Sequence, residues 1–334
     1  MSEVGPTKGT ESPGPARRHR HRRRPTRRQR WRTVLISVVA VLTAATGLGI
    51  GVTTWTTSSV AGNVDQIGDA FPSGQRPEPE AAAEDALTLL VAAVEPAPSA
   101  RDGVQAEAVL LVRFTGDRQH AQVVFLPLNA WLAAARTTPD SAFASGGSAE
   151  LVEAVETETG VRMDHYAQID FDGLASIVDT LGGVDVDVPQ PYSFRSYSFP
   201  AGVQHLDGAA AVAYVRDADD AARATTPVRM QAMIQALFDR LGQQGLLSDF
   251  GRLSSALGEL TSAIGVDDTL ASTDLVRLAW DMRGARQPDF VLAPVSGEGS
   301  EDGQPVSRLD PQRAEALWTH MRADDLAQHV DEFG

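Results

Sequence analysis

Apolar and polar positions alternate with two distinct periods through the last 250 or so positions of the chain. LTLLVAAV (Leu87–Val94) and AVLLVRF (Ala108–Phe114) are short apolar runs of the kind found in buried strands. FTGDRQHA then predicts a turn into an adjacent antiparallel strand, QVVFLPL. Leu151, Val152 and Val155 follow at helical spacing, with Ser148 as a cap and Gly160 near the stop. Phe171, Leu174, Ile177, Val178 and Leu181 predict a second helix, with Asp172 as its cap and Gly182 and Gly183 as its end. Val184, Val186 and Val188 alternate with Asp185 and Asp187, the pattern of a half-buried strand closed by Pro189. An apolar, strand-like run then leads to Arg216, and a long helix is predicted over Pro227–Leu241. One strand at PDFVLAPV and a helix over Pro311–Met321 complete an α/β domain, a mixed central sheet with helices on both faces.

A different pattern precedes this domain. Residues 33–55 are uncharged and about long enough to cross a hydrocarbon core of about 30 Å as one helix, bracketed by Trp31 and Trp55. Arginines crowd residues 1–32, from Arg17 to Arg32, whereas the whole chain carries a net charge of −15. Basic residues before a single span place the arm inside and the remainder outside, a signal-anchor in the cytoplasmic membrane. The arm lacks apolar periodicity, which predicts disorder, and its charge is accounted for by topology and anionic headgroups; no nucleic-acid partner is expected. Residues 56–83 read as a juxtamembrane linker and 84–334 as one external domain. With no cysteine, thiol nucleophiles are excluded. His120, His165, His205, His320 and His329 have no zinc-motif spacing, and no G-x-S-x-G elbow is present.

The stretch from Asp164 to Arg216, DHYAQIDFDGLASIVDTLGGVDVDVP followed after an insert by AGVQHLDGAAAVAYVRD, resembles the LytR-CpsA-Psr family of envelope proteins. So do VLLVRFTGDRQHAQVVFLPLN, SAFASGGSAELVEAVETETGVRMDHY and the late phrase DGQPVSRLDPQRAEALWTHMRADD, all in the family's order. The resemblance implies a membrane-tethered protein that transfers a glycopolymer from a polyprenyl-pyrophosphate carrier to peptidoglycan. It also implies a groove between sheet and helices for the polyprenyl tail, arginines for the phosphates and Mg²⁺ on aspartates.

Several of the implied positions are altered. The family's Arg-Ser-Asp-Thr run corresponds to Gln105, Ala106, Glu107 and Ala108, and its Pro-Arg-Asp turn to Pro127, Leu128 and Asn129. Its Arg-x-Arg pair retains Arg216 but has Ala218 second; its Asp-x-x-Arg-x-x-Arg-Gln pattern reads Arg223, Thr226, Arg229 and Met230. Arg216 and Arg229 are therefore the candidate pyrophosphate-binding residues, Arg113 and Arg223 candidate substrate-binding substitutes, and Glu107 a candidate Mg²⁺ ligand. Ion pairing accounts for Arg216 and Arg229 as well as phosphate binding does. The paired Asp185 and Asp187 suit a divalent cation or a solvated strand face.

Losing phosphate-binding charge costs transition-state stabilisation, about a hundred- to a thousand-fold in rate for one such group. The resulting expectation is an envelope glycopolymer transferase with weakened or lost catalysis. The alternatives are a non-catalytic polyprenyl-lipid-binding protein or scaffold that recruits an active ligase, and a transcriptional regulator acting through the arm.

Overall fold

The computed structural model describes residues 66–96, 104–216, 226–243, 264–270 and 288–333. The arginine-rich arm, the apolar segment 33–55, Ala218 and Arg223 lie outside the described residues. Among the described residues no helix is long and apolar enough to cross a membrane.

In chain order the strands are β1 (Gln66–Ile67), β2 (Leu87–Pro96), β3 (Val104–Phe114), β4 (Ala121–Leu126), β5 (Ala130–Trp131), β6 (His165–Asp170), β7 (Val184–Val188), β8 (Tyr192–Phe194), β9 (Tyr197–Phe199), β10 (Gly202–Leu206), β11 (Ile264–Asp267), β12 (Asp289–Leu292), β13 (Val295–Glu301) and β14 (Gln304–Leu309). The helices are α1 (Pro139–Thr159), α2 (Phe171–Thr180), α3 (Gly208–Val215), α4 (Thr226–Gln243) and α5 (Pro311–Ala323).

Seven strands form the central sheet in the order β1-β11-β6-β2-β3-β4-β12. It is mixed: β2 runs antiparallel to β3 and parallel to β6. Successive side chains on these strands point to opposite faces, so each strand feeds two cores. Leu89, Val91, Leu110 and Val112 join the core under α2, α3 and α4. Leu90, Ala92, Val109 and Leu111 join the core under α1 and α5. The sheet is therefore covered on both faces, as the periodicities predict.

Local chemistry explains where the helices begin and end. Asp170, not Asp172, caps α2, its carboxylate accepting from Gly173 N at 2.6 Å; Asp172 occupies the first turn. Gly183 N donates to Val178 O at 2.9 Å and Gly182 N to Asp179 O at 2.8 Å, satisfying carbonyls the helix leaves open. Gly183 has φ +82, where any side chain is strained, and a Cβ there would also meet the Leu206 carbonyl oxygen at 3.0 Å. Helix α1 starts earlier than Ser148: Thr138 caps it, and non-helical φ/ψ angles at Gly146 and Gly147 kink it before the apolar segment.

Three sequence expectations need correction. The apolar run before Arg216 is helix α3, and the strand of that block is β10, which pairs with β7. A short run apolar on nearly all sides carries no period to separate the two states, and Asp207, accepting from Ala210 N at 2.8 Å, starts the helix. The linker expected over 56–83 is built into the domain from Gln66 onwards: β1 pairs with β11, and Arg76 forms a bidentate pair with Glu156 at 2.7 and 3.0 Å. Where one strand was expected after residue 288, β12 is followed by the hairpin β13–β14.

Candidate functional site

Between the sheet and helices α2 and α4 lies a cavity of about 140 Å³ with an almost wholly apolar wall. Val91, Leu110, Val112 and Val123 supply its floor, Phe171 and Leu174 one side, and Met230, Met233, Ile234 and Leu237 the other. These are the apolar positions that gave α2 and α4 their helical period.

Polar groups gather where β2 and β3 begin to diverge from regular pairing. The register slips between Ala93 and Val94, so Ala93 faces Ala108 while Val94 faces Ala106, and Glu107 is the extra residue of a bulge. Glu95 pairs with Gln105, and the Gln105 amide donates to Glu107 Oε1 at 2.7 Å. Arg216, the C-cap of α3, donates to Glu95 and lies 4.5 Å from the centre of the Phe171 ring. Phe171, Asp170 and Val215, the immediate neighbours of this polar group, also line the cavity. The turn Pro127–Asn129 leaves the sheet at this same end, since Leu126 pairs with Val109.

Arg229 stands behind Arg216. Its Nε donates to Tyr214 O at 2.9 Å, and its Nη2 to Arg216 O at 3.4 Å and Thr226 Oγ1 at 3.2 Å. It is 3% exposed and stacks over Tyr192 at 4.1 Å. The guanidinium thus serves carbonyls at the end of α3, where helix geometry leaves acceptors unpaired and concentrates negative charge. Tyr192 adds a hydrogen bond from its hydroxyl to Arg216 O.

The structure brings Arg216, Arg229 and Glu107 to one end of the molecule, but not Arg113. That side chain points to the opposite face, 4% exposed, with Nη1 donating to Thr88 Oγ1 at 2.7 Å and Nη2 3.2 Å from Asp324. Burial pulls its pKa below the ordinary arginine value, against the opposing pull of Asp324. A substrate-binding role by position does not follow from this geometry, because the sheet separates Arg113 from the cavity.

The other candidates have structural partners. Asp185 and Asp187 are on the exposed face of β7, and Asp185 lies 2.7 Å from His205 Nδ1. His165 meets the buried Asp267 at 3.2 Å, and Asp267 also accepts from Tyr166 N at 3.0 Å. Burial pushes the Asp267 pKa up, but the hydrogen bonds from His165, Thr269 and Tyr166 outweigh it and leave it below the usual carboxylate value.

Sequence reasoning did not find Glu95. An isolated acid at the end of an apolar strand carries no motif, and the bulge that brings it into line with Gln105 and Glu107 is a tertiary feature.

A mixed sheet between two helical layers, with an apolar cavity on one face and the cap arginine Arg216 packed over Phe171 of its lining, defines the class of fold. Its class is identifiable: residues 69–323 match the model of the LytR_cpsA_psr family, and the chain belongs to that family. The Corynebacterium glutamicum protein named "Probable cell wall biosynthesis protein LcpB" is 35% identical over 195 residues, covering 55% of this chain and 44% of that protein. Polyisoprenyl-teichoic acid–peptidoglycan teichoic acid transferase TagU of Halalkalibacterium halodurans is 24% identical over 237 residues, covering 69% of this chain and 76% of TagU. Bacillus subtilis TagV has the same fold, with a TM-score of 0.62 at 20% identity over 72% of this chain and 97% of that one. The chain spans less than half the length of LcpB and 34% of LcpA from the same organism.

Proposed function

We propose that this protein is anchored in the cytoplasmic membrane by residues 33–55, with its arm inside and its family domain outside, and acts there in glycopolymer attachment to the cell wall. The observation that carries the reading is the apolar cavity between the sheet and α4, with Arg216 packed over Phe171 of its lining. Such a shape takes a polyprenyl chain into the cavity and leaves its pyrophosphate at the guanidinium, whose planar fork matches phosphate oxygens. Relatives named as polyisoprenyl-teichoic acid–peptidoglycan transferases support the substrate class.

In this reading the chain's own residues bind and orient more than they activate. Arg216 would turn from Glu95 to the phosphate, while Arg229 keeps the end of α3 fixed so that Arg216 has one position to act from. Mg²⁺ is held in many phosphate sites by one or two carboxylates plus the phosphates themselves. The hard oxygens of Glu107, on the bulge beside Glu95, fit that donor set, and the ion would neutralise charge on the pyrophosphate. Leu128 and Asn129 leave the corresponding turn without cation or carboxylate, so phosphoryl transfer is slow or lost.

A second reading, carrier binding without turnover, is favoured by one observation: Arg229 is 3% exposed and donates to the carbonyls of Tyr214 and Arg216. The deciding experiment incubates the full chain in detergent with a polyprenyl-pyrophosphate analogue and Mg²⁺, beside Arg216→Ala and Arg229→Ala. Turnover lost in Arg216→Ala supports the transferase. Saturable binding without turnover supports the carrier-binding reading. Neither binding nor turnover overturns both.

A further inference from the structure

Strand β1 runs parallel to β11, β11 antiparallel to β6, and β6 parallel to β2. The chain therefore enters the sheet at Gln66 from the end at which β2 delivers Glu95. About ten residues separate Gln66 from the apolar segment 33–55, a reach of about 35 Å when fully extended. The direction of entry turns this end of the domain toward that segment. Four of the six large apolar side chains left exposed among the described residues stand here: Val104, opposite Pro96; Val228, in the first turn of α4; and Tyr197 and Val203, 37% and 69% exposed. Tyr197 belongs to the hairpin β8–β9, which the Tyr192 hydroxyl fastens to Arg216 O. Tyr192 pairs with Phe199 and Phe194 with Tyr197, and alternation with Ser193 and Ser198 puts the four rings on one face. Tyr192 and Phe199 root the base edge-on against buried Tyr214, with ring centres 6.4 and 5.2 Å from it. At the tip, exposed Arg195 lies 5.1 Å from the centre of the Phe194 ring.

We propose that this end of the domain rests on the bilayer that residues 33–55 cross, with the hairpin tip, residues 194–197, seated among the phospholipid headgroups. The inference rests on the reading of residues 33–55 as a membrane anchor. A ring with an apolar body and a polar edge, such as Tyr197, suits the headgroup layer, where tyrosine collects. Arg195 beside it reaches lipid phosphates while its stem stays on apolar surface. An exposed apolar patch calls for a cover, and a bilayer tethered this closely supplies one. Asp187 sets the depth: it faces Val203 across the β7–β10 pair, and its carboxylate stays on the water side, so the contact is shallow and confined to the tip. Phe171 and Val215 of the cavity lining stand at the same end. A polyprenyl chain would then pass from bilayer to cavity with little of its length crossing water.

The chain has no cysteine, so one introduced thiol carries one spin label. The full chain is reconstituted into nanodiscs of phosphatidylethanolamine and phosphatidylglycerol with a label at Ser196→Cys, in the hairpin turn, or at Gln119→Cys, in the β3–β4 turn at the opposite end of the sheet. Collision with a water-soluble nickel chelate should be about threefold or more lower for the Ser196→Cys label than for the Gln119→Cys label, and collision with dissolved oxygen higher. Adding Arg195→Ser and Tyr197→Ser, both at exposed positions, should bring the two nickel values together while circular dichroism stays that of the parent. Equal nickel access at the two labels in chain that co-elutes with the discs would overturn this inference and leave the anchor standing. Protection of the Ser196→Cys label that survives Arg195→Ser and Tyr197→Ser would also overturn it. A chain that does not co-elute with the discs would overturn the anchor and the inference together.

Discussion

Glu95 and Arg216, 121 positions apart in sequence, form an ion pair, each about a quarter exposed, with the guanidinium over the Phe171 ring of the cavity lining. The acid occupies the cation that a pyrophosphate would need. Replacing Glu95 by Gln keeps the shape and removes the competing charge. A partly exposed pair is worth up to about 1 kcal/mol, and about 1.4 kcal/mol corresponds to tenfold in affinity. Glu95→Gln should therefore tighten binding of a polyprenyl-pyrophosphate analogue by up to roughly fivefold, measured by calorimetry at low salt. Unchanged or weaker affinity would separate Arg216 from the phosphate.

Arg229 and Arg216 should part company when stability and binding are measured together. Removing the Arg229 fork leaves the Tyr214 carbonyl short of a donor in a buried place, while Arg216 O retains only the Tyr192 hydroxyl. Arg229→Lys should cost about 2–4 kcal/mol in urea unfolding of the full chain, because a point charge cannot replace several directed bonds. Arg216→Ala should cost no more than about 1 kcal/mol and lose pyrophosphate binding instead. Equal unfolding midpoints for Arg229→Lys and the parent would refute the structural assignment.

The cavity gives a test that leaves every charge in place. Met233 lines it and is 1% exposed, so a larger ring at that position has open space to enter rather than a filled core to strain. Met233→Trp should keep stability within about 2 kcal/mol of the parent. It should weaken binding of a long polyprenyl phosphate at least tenfold while sparing a short-chain pyrophosphate. Equal losses for both lengths would mean that the cavity does not hold the chain.

How much of this was legible in the sequence depends on whether the information is local. Strands β2, β3 and β4 follow from unbroken apolar runs, because each feeds a core on both faces, and helix α2 follows from its apolar period. The role of residues 66–83 was hidden: a stretch rich in proline and charge reads as a linker, and it takes the β1–β11 pairing and the Arg76–Glu156 pair, 80 positions apart, to show that it is fastened down. Helix α3 was misread for want of a polar face. Arg216 and Arg229 were singled out by resemblance, yet the motif could not say that one packs on Phe171 and the other serves the backbone of α3. Arg113 shows the converse failure, since one residue of strand register decides on which face of the sheet a side chain falls.

Acid should weaken the fold through Asp267, and the sign follows from its partners. The buried carboxylate accepts from His165 Nδ1 at 3.2 Å, Tyr166 N at 3.0 Å and Thr269 N at 2.9 Å, all bonds that favour the ionised form. Its folded pKa is accordingly depressed, whereas the unfolded chain titrates near the ordinary value of about 3.9. Above that unfolded value the stabilisation is fully present; as pH falls through the unfolded and then the folded value, the unfolded chain takes up the proton first and the advantage disappears. Asp164 acts with the opposite sign, because burial raises its pKa and ionisation is a penalty at neutral pH. Asp267→Asn should therefore lower stability at pH 7 by about 1.5–3 kcal/mol, the scale of hydrogen bonds to a charged group. The difference from the parent should shrink below about pH 4, where the unfolded parent chain begins to take up the proton that the folded carboxylate still refuses. Denaturant titrations of parent and variant across this range measure both quantities, and a gap that stays constant down to the acid limit would show that the ionised carboxylate is not the source of the stabilisation.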